Sequence, residues 1–382
     1  MTQKDAWDLQ SKTIDWLRFP LIIMVVFIHN KDLGNIPDPI NVWNIDSLST
    51  IDCINLIKIA FSLVIPRIAV PSFFLISGYL FFFHVSEWNK SVYKKKLRKR
   101  VYTLLIPYIL WNMIQLVMPI ICNYSLGWHN PQYYLDVNKY ISSVDWIHWI
   151  WDFSFNNQYG VVNGLGIVHD LTYPINGPLW YVRDLLVLCL LTPVIYWFII
   201  KVGRIYVASL CLLYVLDIWP NIHGLGLTSM FFFNIGSFFA LNKINIVLLF
   251  KRIEVPCFLI ALILLCFLIP NSNSYKIGVI NMSVFYIMAG VVSVFNIAHR
   301  ILLFGRVGVN KWLTNSVFFI FAFHTNCLLD HIRVIYPDGS GTIITLIKYL
   351  SMPFVKIAMC LIVYWLMERY CSRLLKILTG NR

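Results

Sequence analysis

Ten long apolar stretches, separated by polar segments, run through the 382 residues of the chain. A membrane-crossing α-helix needs about 20 mostly apolar residues, and most of these stretches are close to that length. The pattern predicts an all-α, polytopic integral membrane protein with about ten transmembrane helices. The predicted spans are residues 16–30, 58–84, 101–120, 179–200, 205–219, 226–241, 255–270, 279–297, 312–331 and 343–367.

The second and tenth stretches exceed 20 residues and contain proline, at Pro66, Pro71 and Pro353. Proline removes a backbone donor and clashes with the preceding turn of a helix. We therefore expect tilt or kinks in these two spans.

Lysine and arginine lie mostly on one side of this arrangement. If the N-terminus is cytoplasmic, the segments on that side hold 21 of the 31 Lys and Arg residues, and the segments on the other side hold four. The remaining six lie within or at the edges of the predicted spans. Cytoplasmic loops carry an excess of basic residues, so both termini are predicted to be cytoplasmic.

The composition agrees with this architecture. Hydrophobic residues make up 59% of the chain and charged residues 13%, with a mean hydropathy of +0.70. A soluble domain is about 45–50% apolar and about 25% charged, so a soluble enzyme, a disordered chain and a disulfide scaffold are excluded. The cytoplasmic loops explain the net charge of +13 without a nucleic-acid partner. The nine cysteines form no CxxC pair and have no metal-ligand spacing, so no metal site is expected.

We expect one transmembrane domain over residues 1–382. Its longest connection, residues 121–178, is placed outside the cytoplasm and is rich in Trp, Tyr, Asn, Gly and His. Such side chains suit a surface that stacks on and hydrogen-bonds a sugar-like ligand, and they equally suit an aromatic belt at the lipid headgroups. The polar N-terminus lacks the features of a cleaved signal peptide, and the inverted repeat of many transporters is not visible.

The first span contains two ionisable residues, Arg18 and His29. Ionisable groups within membrane spans are costly and are functional candidates by default. The two residues are separated by about three helical turns, so they lie on one face, about 16 Å apart. Arg18 is expected near the cytoplasmic end, where Asp15 can pair with it, and His29 near the outer end. The alternative is an ordinary span with a snorkelling arginine and an interfacial histidine.

The second span and the segment after it add further candidates. Arg67 is expected at the depth of the histidine, while Ser77 and Gly78 are expected near the depth of the arginine. Glycine in a span permits close ligand approach, or simple packing between helices. The basic run from Lys90 to Arg100 could hold anionic headgroups or bind a phosphorylated cytosolic donor such as coenzyme A.

Together these elements resemble the acyltransferase-3 family of integral membrane acyltransferases. The first span matches the family's Arg-X10-His pattern, and FFLISGYLFF in the second span matches its Ser-Gly-X-X-X-Phe pattern. Further matches are the basic run into RVYTLLIPYILW, the segment GPLWYVRDLL that opens the fourth span, and SVFFIFAFH in the ninth. The resemblance extends from residue 14 to about residue 330. The matched residues are Arg18, His29, Ser77, Gly78, Phe82, Arg98, Arg100, Pro107, Tyr108, Trp111, Trp180, Tyr181, Arg183 and His324.

The resemblance implies transfer of an acyl group, often acetyl, from cytosolic acyl-coenzyme A to a hydroxyl group of a cell-envelope glycan or lipid-linked sugar. It implies a multi-pass protein of the bacterial inner membrane that works among membrane lipids and holds no bound cofactor. Some family members carry an SGNH-type hydrolase domain after the spans, whereas this chain is expected to act as a stand-alone membrane domain.

The resemblance and the predicted depths together give the candidate residues roles. His29 and Arg18 are the expected catalytic residues. The acyl-coenzyme A donor is expected to bind at Ser77, Gly78, Phe82, Arg98 and Arg100. The carbohydrate acceptor is expected to bind at Arg67, Trp180, Tyr181, Arg183 and His324.

Several assignments stay open at this point. His29 can act as a general base towards a sugar hydroxyl or can carry the acyl group, and Arg67 or Arg183 can stabilise the oxyanion. For His324 the choices are a structural hydrogen bond, acceptor binding or catalysis. For Lys356, in the tenth span, snorkelling to the membrane surface is the default. A transporter or flippase of polar or lipid-linked solutes is the main alternative to an enzyme.

The uneven distribution of basic residues gives a test of topology. Reporter fusions after Lys95 and after Ser125 should report opposite sides of the membrane, because the first site lies in a basic connection and the second lies in the long connection that is poor in basic residues. Identical readouts from the two fusions would reject the ten-span arrangement.

Overall fold

The computed structural model describes residues 3–30, 40, 42, 48–85, 87–125, 136–153, 160–162, 168–170, 172–220, 222–271, 276–277, 280–305, 308–330 and 342–381. Over these residues the chain is a bundle of α-helices with two short antiparallel hairpins. Each of the ten predicted apolar stretches contains an α-helix, so the all-α prediction is confirmed.

The α-helices are α1 (Gln3–Ile28), α2 (Thr50–Ile59), α3 (Ala69–Phe82), α4 (Lys90–Arg100), α5 (Ile106–Ser125), α6 (Val137–Ser142), α7 (Trp146–Trp151), α8 (Trp180–Lys201), α9 (Arg204–Leu216), α10 (Leu227–Leu241), α11 (Ile246–Arg252), α12 (Glu254–Leu268), α13 (Met282–Leu303), α14 (Lys311–Phe323), α15 (Cys327–Asp330), α16 (Thr342–Tyr370) and α17 (Ser372–Thr379). A π-helical turn (Ala60–Val64) and a 3₁₀ turn (Ile65–Ile68) join α2 to α3, a π-helical turn (Val101–Leu105) joins α4 to α5, and a 3₁₀ turn (Gly177–Leu179) precedes α8. Strand β1 (Gly160–Val162) pairs with β2 (Val168–Asp170), and β3 (Lys276–Ile277) pairs with β4 (Ile280–Asn281).

Several of these helices can cross a membrane. In the described part of the chain five helical segments are long and apolar enough, or six if α10 and α11, which are bent by 106° at their junction, form one broken span. The helices α9, α12 and α14 are apolar but shorter. The chain is therefore a multi-pass membrane protein, while the number of ten spans and the cytoplasmic termini stay predictions. The five segments are Thr50–Phe82, Lys90–Asn123, Gly177–Lys201, Met282–Leu303 and Ile343–Tyr370.

The first helix lies inside the bundle and contacts α3, α13, α14 and α16. Its apolar residues Leu17, Leu21 and Val25 recur every four positions and are completely or almost completely buried, as expected for one face of a helix. Near its start, the amide of Gln10 donates to the Tyr79 hydroxyl at 2.8 Å. The amide oxygen of Gln10 accepts from the Ile246 backbone N–H. These bonds fix α1 against α3 and α11.

The break predicted in the second span is present. Pro66 lies in the 3₁₀ turn before α3, where its missing N–H and its ring prevent a regular α-helix from continuing. Ser62, in the π-helical turn, donates to the Phe27 carbonyl at 2.8 Å, so the break lies beside the end of α1. Pro353 lies inside α16, which continues through it as one helix.

Helices α3 and α10 are in backbone contact. A Cβ atom at Gly78 would lie 2.0 Å from the Phe233 carbonyl oxygen, and one at Gly236 would lie 2.1 Å from the Leu75 carbonyl oxygen. Only glycine at both positions permits this approach. Gly78 had two interpretations, ligand approach and helix packing. Its surroundings in the structure show helix packing.

The long connection after α5 begins later than predicted, because α5 continues to Ser125. Its described parts include α6, α7 and the first hairpin, and the two helices are attached to the bundle. The Tyr108 hydroxyl donates to the Ile150 carbonyl, and the Tyr140 hydroxyl donates to the Leu116 carbonyl at 3.0 Å. Residues 126–135, 154–159, 163–167 and 171 of this connection lie outside the described part of the chain.

An aspartate also holds this connection to the segment between α9 and α10. The Asp152 carboxylate accepts from the Nδ1 atom of His148 at 2.6 Å and from the Nδ1 atom of His223 at 3.0 Å. The hydrogen bond to Asp152 raises the pKa of His148 above its ordinary value. The aromatic connection is therefore built onto the bundle by buried hydroxyls and by this ion-pair cluster.

The glycine contact between α3 and α10 gives a stability test. Replacing Gly236 with alanine should destabilise the protein by about 1–3 kcal/mol, because the added methyl group forces two helix backbones apart. Thermal unfolding in detergent measures the loss. Gly308→Ala is the matched control, since a Cβ atom there meets nothing within 4 Å. Equal stability of the two variants would contradict the close packing.

Candidate functional site

Two histidines from different helices meet at the end of α1. The rings of His29 and His324 have centroids 5.2 Å apart and planes inclined by 56°. His29 follows α1 directly, and His324 follows α14, so the contact between α1 and α14 brings them together. The sequence placed both histidines towards the same side of the membrane, and the structure shows that they form one pair.

The hydrogen bonds of His324 define its tautomer. Its Nδ1 atom lies 3.0 Å from the carbonyl oxygens of both Ile320 and Phe321. Carbonyls only accept, so Nδ1 carries the proton and the Nε2 atom of the neutral ring keeps its lone pair. The side chain is almost completely buried. Among the described residues, Nε2 has no hydrogen-bond partner.

Two further buried polar atoms near His324 are unpaired within the described part of the chain: the hydroxyl oxygen of Thr325 and the amide oxygen of Asn176. Asn176 is held beside this segment because its amide nitrogen donates to the Ala322 carbonyl at 2.8 Å and its backbone N–H donates to Asn112. Buried polar atoms are nearly always satisfied by protein, water or ligand. Three such atoms belong to described residues at or beside the end of α14, where water or a ligand could satisfy them.

A buried lysine completes this group, and the sequence analysis did not include it in the site. Lys356, on α16, is only 4% exposed, so the expectation that it snorkels to the surface was wrong. It is close enough to His324 for its charge to act on that ring. The sequence did show a lysine well inside an apolar run. This pattern does not distinguish a buried lysine from one whose long side chain reaches the membrane surface. We call His29, His324 and Lys356 the histidine–lysine cluster.

Arg18 lies near the middle of α1, which begins at Gln3 and ends at Ile28. Its guanidinium pairs with Asp15 at 3.1 Å, and the side chain is about one-third exposed at 32%. This is the pairing that the sequence predicted. Eleven residues of helix separate Arg18 from His29, a distance of about 16 Å along the axis. The two residues of the first motif are therefore not in contact with each other.

The second motif lies against the start of α8. The hydroxyls of Ser77 and Tyr181 are 2.8 Å apart, and the Tyr181 ring packs on Phe74 and Phe321. Sequence reasoning gave Ser77 to the donor and Tyr181 to the acceptor, whereas the structure joins them. Phe82 is fully buried in an aromatic cluster, where it contributes to the core.

Some basic side chains of α4 are exposed, and others face the bundle. Arg98 is exposed, whereas the Arg100 guanidinium lies 5.5 Å from the centre of the Phe81 ring. Lys96, which was not singled out, also faces this ring, with its ammonium 5.0 Å from the ring centre. The buried Cys189 lies on α8 close to this basic helix. One arginine is thus free to meet a ligand, and the other is partly engaged with the bundle.

The arginine predicted to bind the acceptor, Arg183, is held by the protein. It forms a buried ion pair with its neighbour Asp184 at 3.1 Å, and it also donates to the Trp151 carbonyl at 2.7 Å. The second oxygen of Asp184 accepts from the Gly226 backbone N–H. Arg183 therefore attaches the long connection to α8 and α10. Asp184 is adjacent to the matched arginine and was missed because the motif was considered for ligands alone.

The remaining predicted acceptor residues are partly exposed and lie apart from the histidines in the chain. Arg67, in the 3₁₀ turn, is half-buried and close enough to Tyr214 and Tyr286 for its charge to act on both. Trp180 packs its ring on Phe74, with centroids 6.1 Å apart. Among the described residues, groups of histidine, cysteine and carboxylate that could hold a metal ion are absent.

This arrangement suits proton transfer at the end of α1 and anion binding near its middle. The histidine–lysine cluster combines a buried ring nitrogen, a half-buried second imidazole and a buried cation. Arg18 and the exposed part of α4 provide cations that can meet phosphate groups.

Comparison with known proteins adds two findings. Residues 11–368 match the family model of an acyltransferase domain, acyltransferase-3. The succinoglycan biosynthesis protein ExoH of Rhizobium meliloti (strain 1021) is 24% identical to this chain over 381 residues, which cover 97% of this chain and 92% of that protein. No solved structure matches the chain.

The buried ion pair of Arg183 gives a test that separates anchoring from acceptor binding. Asp184→Ala should destabilise the protein by about 3–5 kcal/mol, because it leaves a buried guanidinium without its counter-ion. Arg183→Met should cost a similar amount, and the double variant should cost much less than the sum, as measured by unfolding in detergent. The exposed Arg98→Met is the control. Normal stability of Arg183→Met together with weakened acceptor binding would restore the acceptor role.

Proposed function

We propose, from the premise that this chain belongs to the acyltransferase-3 family of integral membrane acyltransferases, that it moves an acyl group from acyl-coenzyme A to a hydroxyl group of a cell-envelope glycan or lipid-linked sugar. Membership of the family makes it an acyltransferase enzyme. Four parts of this assignment are proposals: the donor, the hydroxyl acceptor, acetyl as the preferred acyl group and the bacterial inner membrane.

The observation that carries the proposal is the pairing of His29 with His324. Histidine is the commonest general base in enzymes because its ordinary pKa lies near neutrality. In this chain, the half-buried imidazole of His29 packs on the buried imidazole of His324, whose Nε2 atom has no partner among the described residues. A hydroxyl bound beside this pair can be held by His324 and lose its proton to His29.

The donor is proposed to approach from the side of Arg18. Arg18, Arg98 and Arg100 supply cations for the phosphates of coenzyme A, and the guanidinium fork suits phosphate oxygens. The pantetheine arm would then extend along α1 over the distance of about 16 Å that separates Arg18 from His29. Gly78 packs against Phe233 and Ser77 against Tyr181, so these two residues are not assigned to the donor.

The reaction then balances without a bound cofactor. His29 takes the proton of the acceptor hydroxyl while its oxygen attacks the thioester carbonyl, and the carbonyl π electrons move onto oxygen. When this tetrahedral intermediate collapses, the C–S bond breaks and the coenzyme A thiolate takes the proton from His29. The products are an O-acyl ester and free coenzyme A.

A glycan acceptor is supported by the name of the relative and by the aromatic surface. ExoH is named for the biosynthesis of succinoglycan. In this chain Trp180, Tyr181 and half-buried Arg67 offer rings and a cation to a polar ligand, and sugars stack on aromatic rings through their apolar faces.

The test of this function is acyl transfer by the purified full-length protein. Labelled acetyl-coenzyme A is supplied with a lipid-linked or soluble glycan, and ester formation is followed together with release of free thiol. His29→Asn should fold normally and lose about 10²–10⁴-fold in turnover, because asparagine keeps a hydrogen bond but cannot accept the proton. The exposed His84→Asn is the matched control and should behave as wild type.

Near-normal turnover of His29→Asn at saturating donor and acceptor would show that His29 is not the base. Movement of a glycan lipid across vesicles by a wild-type protein that forms no ester would favour the flippase alternative.

A further inference from the structure

The lysine of the histidine–lysine cluster lies on the inward face of α16. Lys356 shares this face with Tyr349, Met352 and Cys360, which follow one another at spacings of three or four residues and are all buried. Such spacing places side chains on one side of a helix. The side chain of Lys356 therefore points into the bundle, and it is buried because of its position on this face of α16.

Contacts between α1 and α16 set the depth of this lysine. The side-chain amide of Asn30 donates to the Tyr349 carbonyl at 2.9 Å, and the rings of Phe27 and Phe354 lie 5.7 Å apart. Lys356 follows Tyr349 by about 10 Å along the axis. Because helical side chains lean towards the N-terminus of their helix, its ammonium reaches back towards the level of His29.

We propose that Lys356 is a further catalytic residue, whose ammonium stabilises the oxyanion that forms when an acceptor hydroxyl attacks the thioester at the histidine pair. This inference rests on the proposed acyl transfer. It follows from the burial of a cation on the face of α16 that packs towards α1, since a developing negative charge in a site of low dielectric gains most from a preorganised positive group.

Two arginines considered earlier are placed away from the histidines. Arg183, one of the two arginines named for this role in the sequence analysis, is held by Asp184, Trp151 and Thr172. Arg18 lies about 16 Å from His29 along α1. Lys356 is the described cation whose charge acts on His324 from within the bundle.

In the reaction, the thioester carbonyl oxygen receives the π electron pair when the acceptor oxygen bonds to the carbonyl carbon. The ammonium of Lys356 donates a hydrogen bond to this oxygen without giving up its proton. The electron pair returns to re-form the carbonyl as the C–S bond breaks, and the proton held by His29 passes to the departing sulfur. The lysine is unchanged at the end of the cycle.

The experiment compares Lys356→Met and Lys356→Gln with the wild type in the purified full-length protein, using acetyl-coenzyme A and the glycan acceptor. Both variants should lower kcat by about 10²–10³-fold, the cost of removing one oxyanion donor, with KM values for both substrates within about threefold. Lys348→Met, on the same helix two turns earlier, is the control and should leave kcat within about threefold. Thermal unfolding and size-exclusion profiles confirm that the variants are folded.

A second measurement tests the charge directly. In Lys356→Ala, added ethylammonium should restore part of the lost turnover, whereas the same concentration of a neutral alcohol should not. Near-wild-type kcat in folded Lys356→Met or Lys356→Gln, or equal rescue by the cation and the alcohol, would overturn the inference. If the substitutions prevent folding, absence of cation-specific rescue in Lys356→Ala overturns it as well.

Failure of the proposed function would look different from failure of this inference. A wild-type protein that forms no ester with any glycan acceptor refutes acyl transfer before any variant is made. A wild-type protein that forms the ester while Lys356→Met does so at the same rate refutes only the role of the lysine.

Discussion

A polar side chain can be buried in an apolar helical bundle only where a second helix or a nearby backbone group satisfies it, because the lipid around the bundle offers no hydrogen bonds. This requirement organises the present chain. Gln10 pairs with Tyr79, Asn30 with the Tyr349 carbonyl, and Arg183 with the Trp151 carbonyl. Each of these bonds fixes the relative position of two segments, so that the polar residues determine the register of helices whose apolar contacts alone would permit sliding.

Some exceptions to this rule lie at the candidate site. At the end of α14, the Nε2 atom of His324 and the hydroxyl of Thr325 are buried without partners in the described part of the chain. An unsatisfied buried group costs about 1–3 kcal/mol, which is tolerated where a ligand or water completes the bonding. His29 packs directly against His324, so these unpaired groups lie beside the histidine of the first motif.

Helix α1 separates the two chemical requirements of acyl transfer. Arg18 near its middle and His29 just after its last residue share one helix face, and the proposed donor would be held by its phosphates at the first with its thioester near the second. A rigid helix of fixed rise keeps this distance constant.

Much of the fold could be predicted from the sequence, since each apolar run became a helix and the Arg18–Asp15 pair and the break in the second span followed from local spacing. The pairing of His29 with His324 could not, because nearly 300 residues separate them and only tertiary packing joins α1 to α14. Lys356 was misjudged for a related reason. The sequence pattern around a lysine in an apolar run is the same whether its helix face meets lipid or protein. Only the contacts of α16 show that Lys356 faces protein.

The most direct measurement of this account is an experimental structure of the full-length protein with a non-hydrolysable thioester analogue of acetyl-coenzyme A. The account predicts that the phosphates lie against Arg18 and α4, and that the carbonyl oxygen lies within hydrogen-bonding distance of the histidine–lysine cluster. An analogue bound with its acyl end away from His29, or one whose carbonyl meets none of the three side chains, would contradict the account.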